Sequence, residues 1–559
     1  MSVAVGLAAP ATDAKACGGT FCDVGPSAMP VDQSGENILF VIEDGTVEAH
    51  VQIQYEGDPE AFAWVVPVMA VPEIEAGSDA LFANLLAATV PTFMTNPIFE
   101  DCGPDRRGGD GVGCGMGRFS PNAFSADSDE GAGAWGEFDD DPMVVASGVA
   151  GAFEYSVLEG GTVDGVVEWL DANGYAQDDE APAELQGYLD KGFLFVAFKL
   201  RGGTDVDEIH PVVIRYEGDE PCVPIRLTRI AATDDMGVRA FFLGESRVAP
   251  TNYRSAEINL AALDWQNLGA NYRALVTQAV DADPQGHAFV TEYAGASAVV
   301  DSFGLLDPRW DATRFREATP EQAIDELGLQ GLLTCTENRC GANHPLVVGL
   351  LERFLPRPVG VSFEAYYACI SCFESAELEA WDPGAFADEL EARIIGPGEH
   401  ATDLLASHDY LTRLYTTLSP QEMTLDPIFH ENPDLADVSN VVQVDMVFTC
   451  EGPNYVEFDD GTRLAVGPSP DPAQPAALRL QDVPMQGPAM TISDMSEEVD
   501  EARTEWNDEL GLSPGGEQGC NCRARKRGAS GIAWALLMVG MGAWARRPRR
   551  RRAAAATRR

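Results

Sequence analysis

From Gly528 to Ala545 the chain runs eighteen residues without a charge, and eight arginines lie beyond that run. At about 1.5 Å of rise per residue a helix of that length spans roughly 27 Å, against roughly 30 Å for a bilayer's hydrocarbon core. Ile532, Trp534, Leu536, Leu537, Met538, Val539 and Met541 supply the apolar surface, and four glycines weaken it. Arg546, Arg547, Arg549, Arg550, Arg551 and Arg552 follow the run, with Arg558 and Arg559 at the end. Only Arg523, Arg525, Lys526 and Arg527 precede it. The positive-inside bias puts the C-terminus in the cytoplasm and residues 1–519 outside. A buried core helix with a solvated basic end is the competing reading, but buried helices rarely carry such arginine blocks. The rest of the chain is therefore expected to fold in an oxidising compartment.

The charge is unevenly distributed along the chain. Net charge is −52, yet the tail holds twelve of the 37 basic residues and no acidic one, which leaves 25 against 89 in residues 1–519, a net −64. Such a body repels nucleic-acid phosphates and anionic membranes, so nucleic acid is excluded as a partner. It suits cation binding, a salty milieu or plain solubility. Ten cysteines lie between Cys17 and Cys450, an even number that reads as a disulfide set in an exported chain. Close spacing suggests Cys17 with Cys22, Cys102 with Cys114, Cys335 with Cys340 and Cys369 with Cys372. That leaves Cys222 and Cys450 as a long-range staple.

Hydrophobic patterning divides the chain. Residues 1–16 read as the remnant of a signal peptide, with Ala14-Lys15-Ala16 a small-x-small cleavage pattern before Cys17. Residues 17–320 read as an α+β domain with a mostly antiparallel sheet. Asn37–Tyr55 is a β-hairpin turned at Asp44-Gly45. In its second strand Val47, Ala49, Val51, Ile53 and Tyr55 face one way, and Glu48, His50, Gln52 and Gln54 form a polar row on the other. Further strands are expected at 62–67, 193–200, 211–216, 222–230 and 238–243. Ser78 and Thr162 are expected to cap helices. Residues 101–142 form an acidic, Gly-rich surface loop. Residues 321–435 read as a largely helical, Cys-rich segment opened by the capping box Thr319-Pro320-Glu321-Gln322. Residues 436–467 return to β-hairpins, 468–519 are a Pro/Gly/acidic linker with a short acidic helix near 495–510, and 520–559 are the tail with transmembrane helix 528–545.

Two resemblances follow from particular residues. The order Gly519-Cys520-Asn521-Cys522, apolar helix, arginine cluster, stop resembles the myxobacterial-type C-terminal protein-sorting tail. In that family the cysteine precedes a helix that is cut and removed during export to the cell surface, which implies that Cys520 or Cys522 is the processing or lipid-attachment residue. Ala16-Cys17-Gly18-Gly19, Phe21-Cys22, Gln33-Ser34-Gly35-Glu36, Ala49-His50-Val51-Gln52-Ile53-Gln54-Tyr55, Phe62-Ala63-Trp64-Val65-Val66-Pro67-Val68 and Pro224-Ile225-Arg226-Leu227 resemble an exported, uncharacterised bacterial family known as domain of unknown function 2330, over roughly residues 16–330. That resemblance implies export and a cysteine-rich N-terminus, and carries no catalytic residue.

Motifs with a chemical reading are few. Cys369-Ile370-Ser371-Cys372 has redox spacing, but the crowd of cysteines around it reads as structural disulfides. Cys335, Cys340, His344, Cys369 and Cys372 could ligate zinc, yet lack a paired C-x-x-C set, so no metal site is expected there. Asp127-Ser128-Asp129-Glu130 and Asp139-Asp140-Asp141 offer hard oxygens for weak Ca²⁺ binding, without the spacing of a twelve-residue calcium loop. None of the seven histidines lies in an H-E-x-x-H helix, and His50 reads as solvent-facing on its strand. Gly511-Leu512-Ser513-Pro514-Gly515 spells a nucleophile elbow inside the linker, where no strand or helix supports one. No cofactor is expected. The expected function is an exported cell-surface protein for binding or envelope structure, whose partners are the envelope and its sorting machinery. The alternatives are an exported hydrolase whose site assembles only in three dimensions, and a thiol-disulfide or metal-handling factor around Cys335–Cys372.

Overall fold

The computed structural model describes residues 32–43, 45–56, 63–101, 142–175, 181–202, 208–218, 221–230, 232–336, 339–373, 381–467 and 474–512. The proposed signal remnant, the loop 102–141 with its acidic clusters, and the whole tail lie outside them. Among the described residues no helix is long and apolar enough to cross a membrane.

A ten-stranded sheet runs through the body. Its strands lie in the order Met490–Asp494, Ala477–Asp482, Arg254–Ile258, Ala288–Ala296, Tyr410–Leu418, Ala232–Gly244, Asp32–Glu43, Thr46–Glu56, Val212–Glu217 and Glu73–Ala76. Most neighbours are antiparallel. Asp32–Glu43 pairs with Ala232–Gly244 in parallel, as does Arg254–Ile258 with Ala288–Ala296. The expected hairpin is present, with Gly45 at φ +78 in its turn, a conformation that glycine adopts without Cβ strain.

Both faces of this sheet are covered, which is why its central strands read as unbroken apolar runs. Ile38, Phe40, Val47, Ala49 and Phe242 pack against Trp64, Val66, Phe153, Val196 and Phe198 of a second, four-stranded sheet. The far face of that second sheet, through Val65, Leu158 and Phe195, meets helices Val163–Ala172 and Ala181–Leu189. On the other face of the large sheet, Leu39, Val41, Phe241 and Leu411 pack beneath helices Asp79–Thr89 and Gly396–Ser407. The layers therefore run helix, sheet, sheet, helix. Each fully buried large aliphatic or aromatic side chain in these layers contributes about 1.5–3 kcal/mol. The caps at Ser78, Thr162 and Thr319 form as expected, the last as a full capping box.

Several expectations need correction. Residues 468–519 are more than a linker: Ala477–Asp482 and Met490–Asp494 extend the ten-stranded sheet, with Leu480 buried in its core. The expected acidic helix is there, as Ser496–Leu510. Residues 222–230 hold a helical turn, Ile225–Thr228, rather than a strand. Within the Cys-rich segment, Cys335 and Cys340 face each other across a small hairpin, and Tyr410–Leu418 is a buried strand of the large sheet. The Cys335–Cys340 and Cys369–Cys372 disulfides are both formed. Their four sulfurs are thus used, which removes the zinc set around His344. Cys450 is disulfide-bonded, and not to Cys222, so the Cys222–Cys450 staple is not formed.

Candidate functional site

Among the described residues, two places stand out as candidate sites. The first is the polar row on Thr46–Glu56. Strand alternation puts Glu48, His50 and Gln52 on the face covered by the two helices. His50 is 2% exposed, so the solvent-facing reading of it is overturned: helix Gly396–Ser407 lies over it and delivers His400. A Cβ on Gly398 would collide with the Leu305 carbonyl oxygen, so only glycine lets that helix pack so closely on the Leu305 backbone.

The Nε2 atoms of His50 and His400 lie 2.6 and 2.5 Å from one oxygen, Glu48 Oε1. The two imidazoles stack 5.6 Å apart with planes 6° from parallel. Glu48 Oε2 accepts a hydrogen bond from Arg215 Nε at 2.5 Å, and Arg215 Nη1 donates to Glu75. The strand registers explain the convergence: Glu48 lies directly opposite Arg215 in one ladder, and Glu75, opposite Val213 in the next, lies one diagonal step from Arg215 on the same face. Burial opposes ionisation of Glu48, but bonds from His400, His50 and Arg215 outweigh it and hold the carboxyl far below the usual range. Burial pushes His50 down, partly offset by Glu48. Further along the row, Gln52 donates to Asp79 at the start of helix Asp79–Thr89 and accepts from Asn37.

The second place is a cleft of about 390 Å³, lined from one side by strands Arg254–Ile258 and Ala288–Ala296. The other side comes from Thr92–Phe99 and Val441–Phe448, which pair in parallel in a separate four-stranded sheet. Phe93, Ile258, Leu260, Tyr272 and Val442 give it an apolar wall. Glu292 is set in its floor, 5% exposed. It accepts from the Tyr272 hydroxyl at 2.9 Å, and its Oε2 lies 2.5 Å from Arg413 Nε, an ion-pair contact whose angle falls short of a hydrogen bond. Arg413 continues to Thr89 Oγ1 at 3.1 Å and stacks over Phe241. Arg247 borders the cleft and donates to the Ala436 carbonyl and to Thr291 Oγ1. Its buried Nε has no acceptor, and it forms no ion pair among the described residues. Burial pushes its guanidinium down, with the charges of Tyr410 and Asp437 opposing.

No histidine lines this cleft. Elsewhere Thr251 Oγ1 lies 2.8 Å from His430 Nδ1, and Thr424 Oγ1 lies 3.1 Å from His287 Nε2. Among the described residues neither ring is bonded to a carboxylate side chain, the group that orients the base in a Ser-His-Asp triad.

Of the sequence-predicted cysteines, Cys222, Cys335, Cys340, Cys369, Cys372 and Cys450 belong to neither place, while Cys17, Cys22, Cys102, Cys114, Cys520 and Cys522 lie outside the described residues. Arg247, Glu292 and Arg413 escaped sequence reasoning, since nothing in their local pattern marks them. The Glu48-x-His50 alternation was visible, but its partner His400 lies 350 residues away.

The fold and the cleft together define an α+β protein of stacked sheets, stapled by disulfides in its helical part. Its sequence matches the model of an uncharacterized protein family conserved in bacteria, domain of unknown function 2330, over residues 10–429, and the chain belongs to that family. The match extends further towards the C-terminus than the motifs alone suggested. Comparison with curated proteins and with solved structures gave no match.

Proposed function

We propose that this protein is exported, held at the cell envelope through its C-terminal tail, and binds a small amphipathic anion in the cleft beside Arg247. The observation that carries the binding reading is the cleft itself: about 390 Å³, within the usual range of small-ligand sites, apolar on one wall and bordered by an arginine without an ion-pair partner among the described residues. A guanidinium in that state favours a carboxylate, sulfonate or phosphate. The acidic body repels anions in general, so the ligand must add apolar surface to offset that repulsion. The enzyme alternative has less support, because no histidine borders the cleft.

The naphthalene sulfonate dye ANS has the required chemistry and serves as the probe. Titrated into the folded protein, it should bind with a Kd that Arg247→Met weakens about tenfold or more, the worth of one hydrogen-bonded charge. An uncharged naphthalene should be affected far less. Equal ANS affinity in parent and variant, with unchanged thermal unfolding, would exclude this cleft as the binding site. Delivery is tested separately. Deleting Gly519–Arg559 should shift the protein from the cell fraction to the medium, and continued retention on the cells would remove the tail from the reading.

A further inference from the structure

The Glu48 cluster is chemically unlike the cleft and independent of it. We propose that Glu48, His50 and His400 form a binding site for a divalent transition metal of the zinc class. Four observations converge on this. Their ligand atoms all lie within 4.8 Å of one another. Both Nε2 atoms aim at the same carboxylate oxygen, as two imidazoles do around one ion. Arg215 grips the other oxygen of Glu48, which fixes the carboxylate and leaves Oε1 for coordination. Lastly, His400 Nε2 lies 2.5 Å from Glu48 Oε1 and 3.0 Å from Arg215 Nη2. A single ring nitrogen cannot donate to the first and accept from the second, so hydrogen bonding alone leaves one contact unsatisfied. A metal takes the lone pairs of both rings and leaves Arg215 to its carboxylates.

The donor set selects the metal. Two imidazoles and one carboxylate suit zinc and its neighbours, whereas calcium and magnesium call for six or more oxygens. Charge agrees: Glu48 and Glu75 outweigh Arg215 by one negative charge when the histidines are neutral. Tetrahedral zinc with ligands at about 2.0–2.2 Å sets neighbouring ligand atoms roughly 3.3–3.5 Å apart. The ligand atoms must therefore spread by somewhat under about 1 Å from their present separations of 2.5–2.6 Å, a change that small side-chain rotations supply. Three protein ligands leave a fourth position open. His400, 31% exposed at its side chain, provides the route from solvent.

The test uses tag-free, full-length protein with its disulfides intact, titrated with Co²⁺ and then Zn²⁺. One Co²⁺ per chain should give the visible absorption of a tetrahedral-type site, and Zn²⁺ should abolish it. His400→Gln and Glu48→Gln should each weaken Co²⁺ binding by about 10–100-fold or more, since even outer-shell changes reach that range. His400 is the safer variant, because it lies on a partly exposed helix, and unchanged thermal unfolding in chelator certifies its fold. If folded parent protein shows no such absorption, or if His400→Gln binds Co²⁺ as tightly as the parent, the assignment is wrong.

Discussion

Arg413→Met should lower unfolding stability by about 3–5 kcal/mol, the cost of stranding one member of a buried ion pair. Arg413 and Glu292 are 3% and 5% exposed, so neither charge can turn to water when its partner is removed. Among the described residues Glu292 would keep only the Tyr272 hydroxyl as a side-chain partner. The end of helix Asp79–Thr89 would lose the guanidinium that bonds Thr89 and reaches the Leu86 carbonyl, where a cation also complements the helix dipole. Chemical denaturation at neutral pH measures the loss directly. Glu292→Gln should also destabilise, and the double variant should recover part of the combined cost, because two neutral groups need no partner charge. A single Arg413→Met variant within about 1 kcal/mol of the parent would mean that the pair is solvated and that the floor of the cleft is not rigidly held.

Glu36→Gln should act in the opposite direction and depend on pH. Glu36 lies on the central strand Asp32–Glu43, 4% exposed, beside a cavity of about 50 Å³ lined by Trp64, Tyr216 and Thr228. Its Oε2 has no hydrogen-bond partner. Burial alone pushes its carboxyl up from 4.5 to about 7. Below pH 4.5 both folded and unfolded chains hold the proton, so the group leaves stability unchanged. Between 4.5 and 7 the unfolded chain ionises while the folded one keeps its proton, and stability falls as pH rises. Above 7 the loss is complete, about 3 kcal/mol at about 1.4 kcal/mol per unit. Glu36→Gln removes the ionisation, so it should be more stable than the parent by about that amount at pH 8 and nearly equal to it at pH 4. A gain of the same size at both pH values would show that packing, and not ionisation, separates the two proteins.

Both predictions concern residues whose environment could not be read locally. Glu36 was visible only as part of a family motif. Nothing in Gln33-Ser34-Gly35-Glu36 shows that a second sheet closes over it. His50 is the sharper case: period-two alternation correctly placed it with Glu48 and Gln52, and the inference that a polar row faces water then failed. A polar face can be covered when most of its groups bond one another, as Glu48 does with Arg215, and Gln52 with Asn37 and Asp79, although Asn37 Oδ1 and His50 Nδ1 stay without a partner among the described residues. The proline-rich stretch after Pro468 misled for a related reason. Its strands are edge additions, where proline in the connections costs no ladder bond.

The chain's own order of residues was enough to specify local features: the hairpin at Gly45, the helix caps at Ser78, Thr162 and Thr319, the two short-range disulfides, and family membership. Each rests on groups a few residues apart or on a contiguous motif, so its physics is written in one stretch. Which faces are buried, and which distant side chains meet at Glu48 and at Glu292, was decided only by tertiary packing. Those contacts join segments hundreds of residues apart, and their energy comes from excluding water at meeting points that no local pattern encodes.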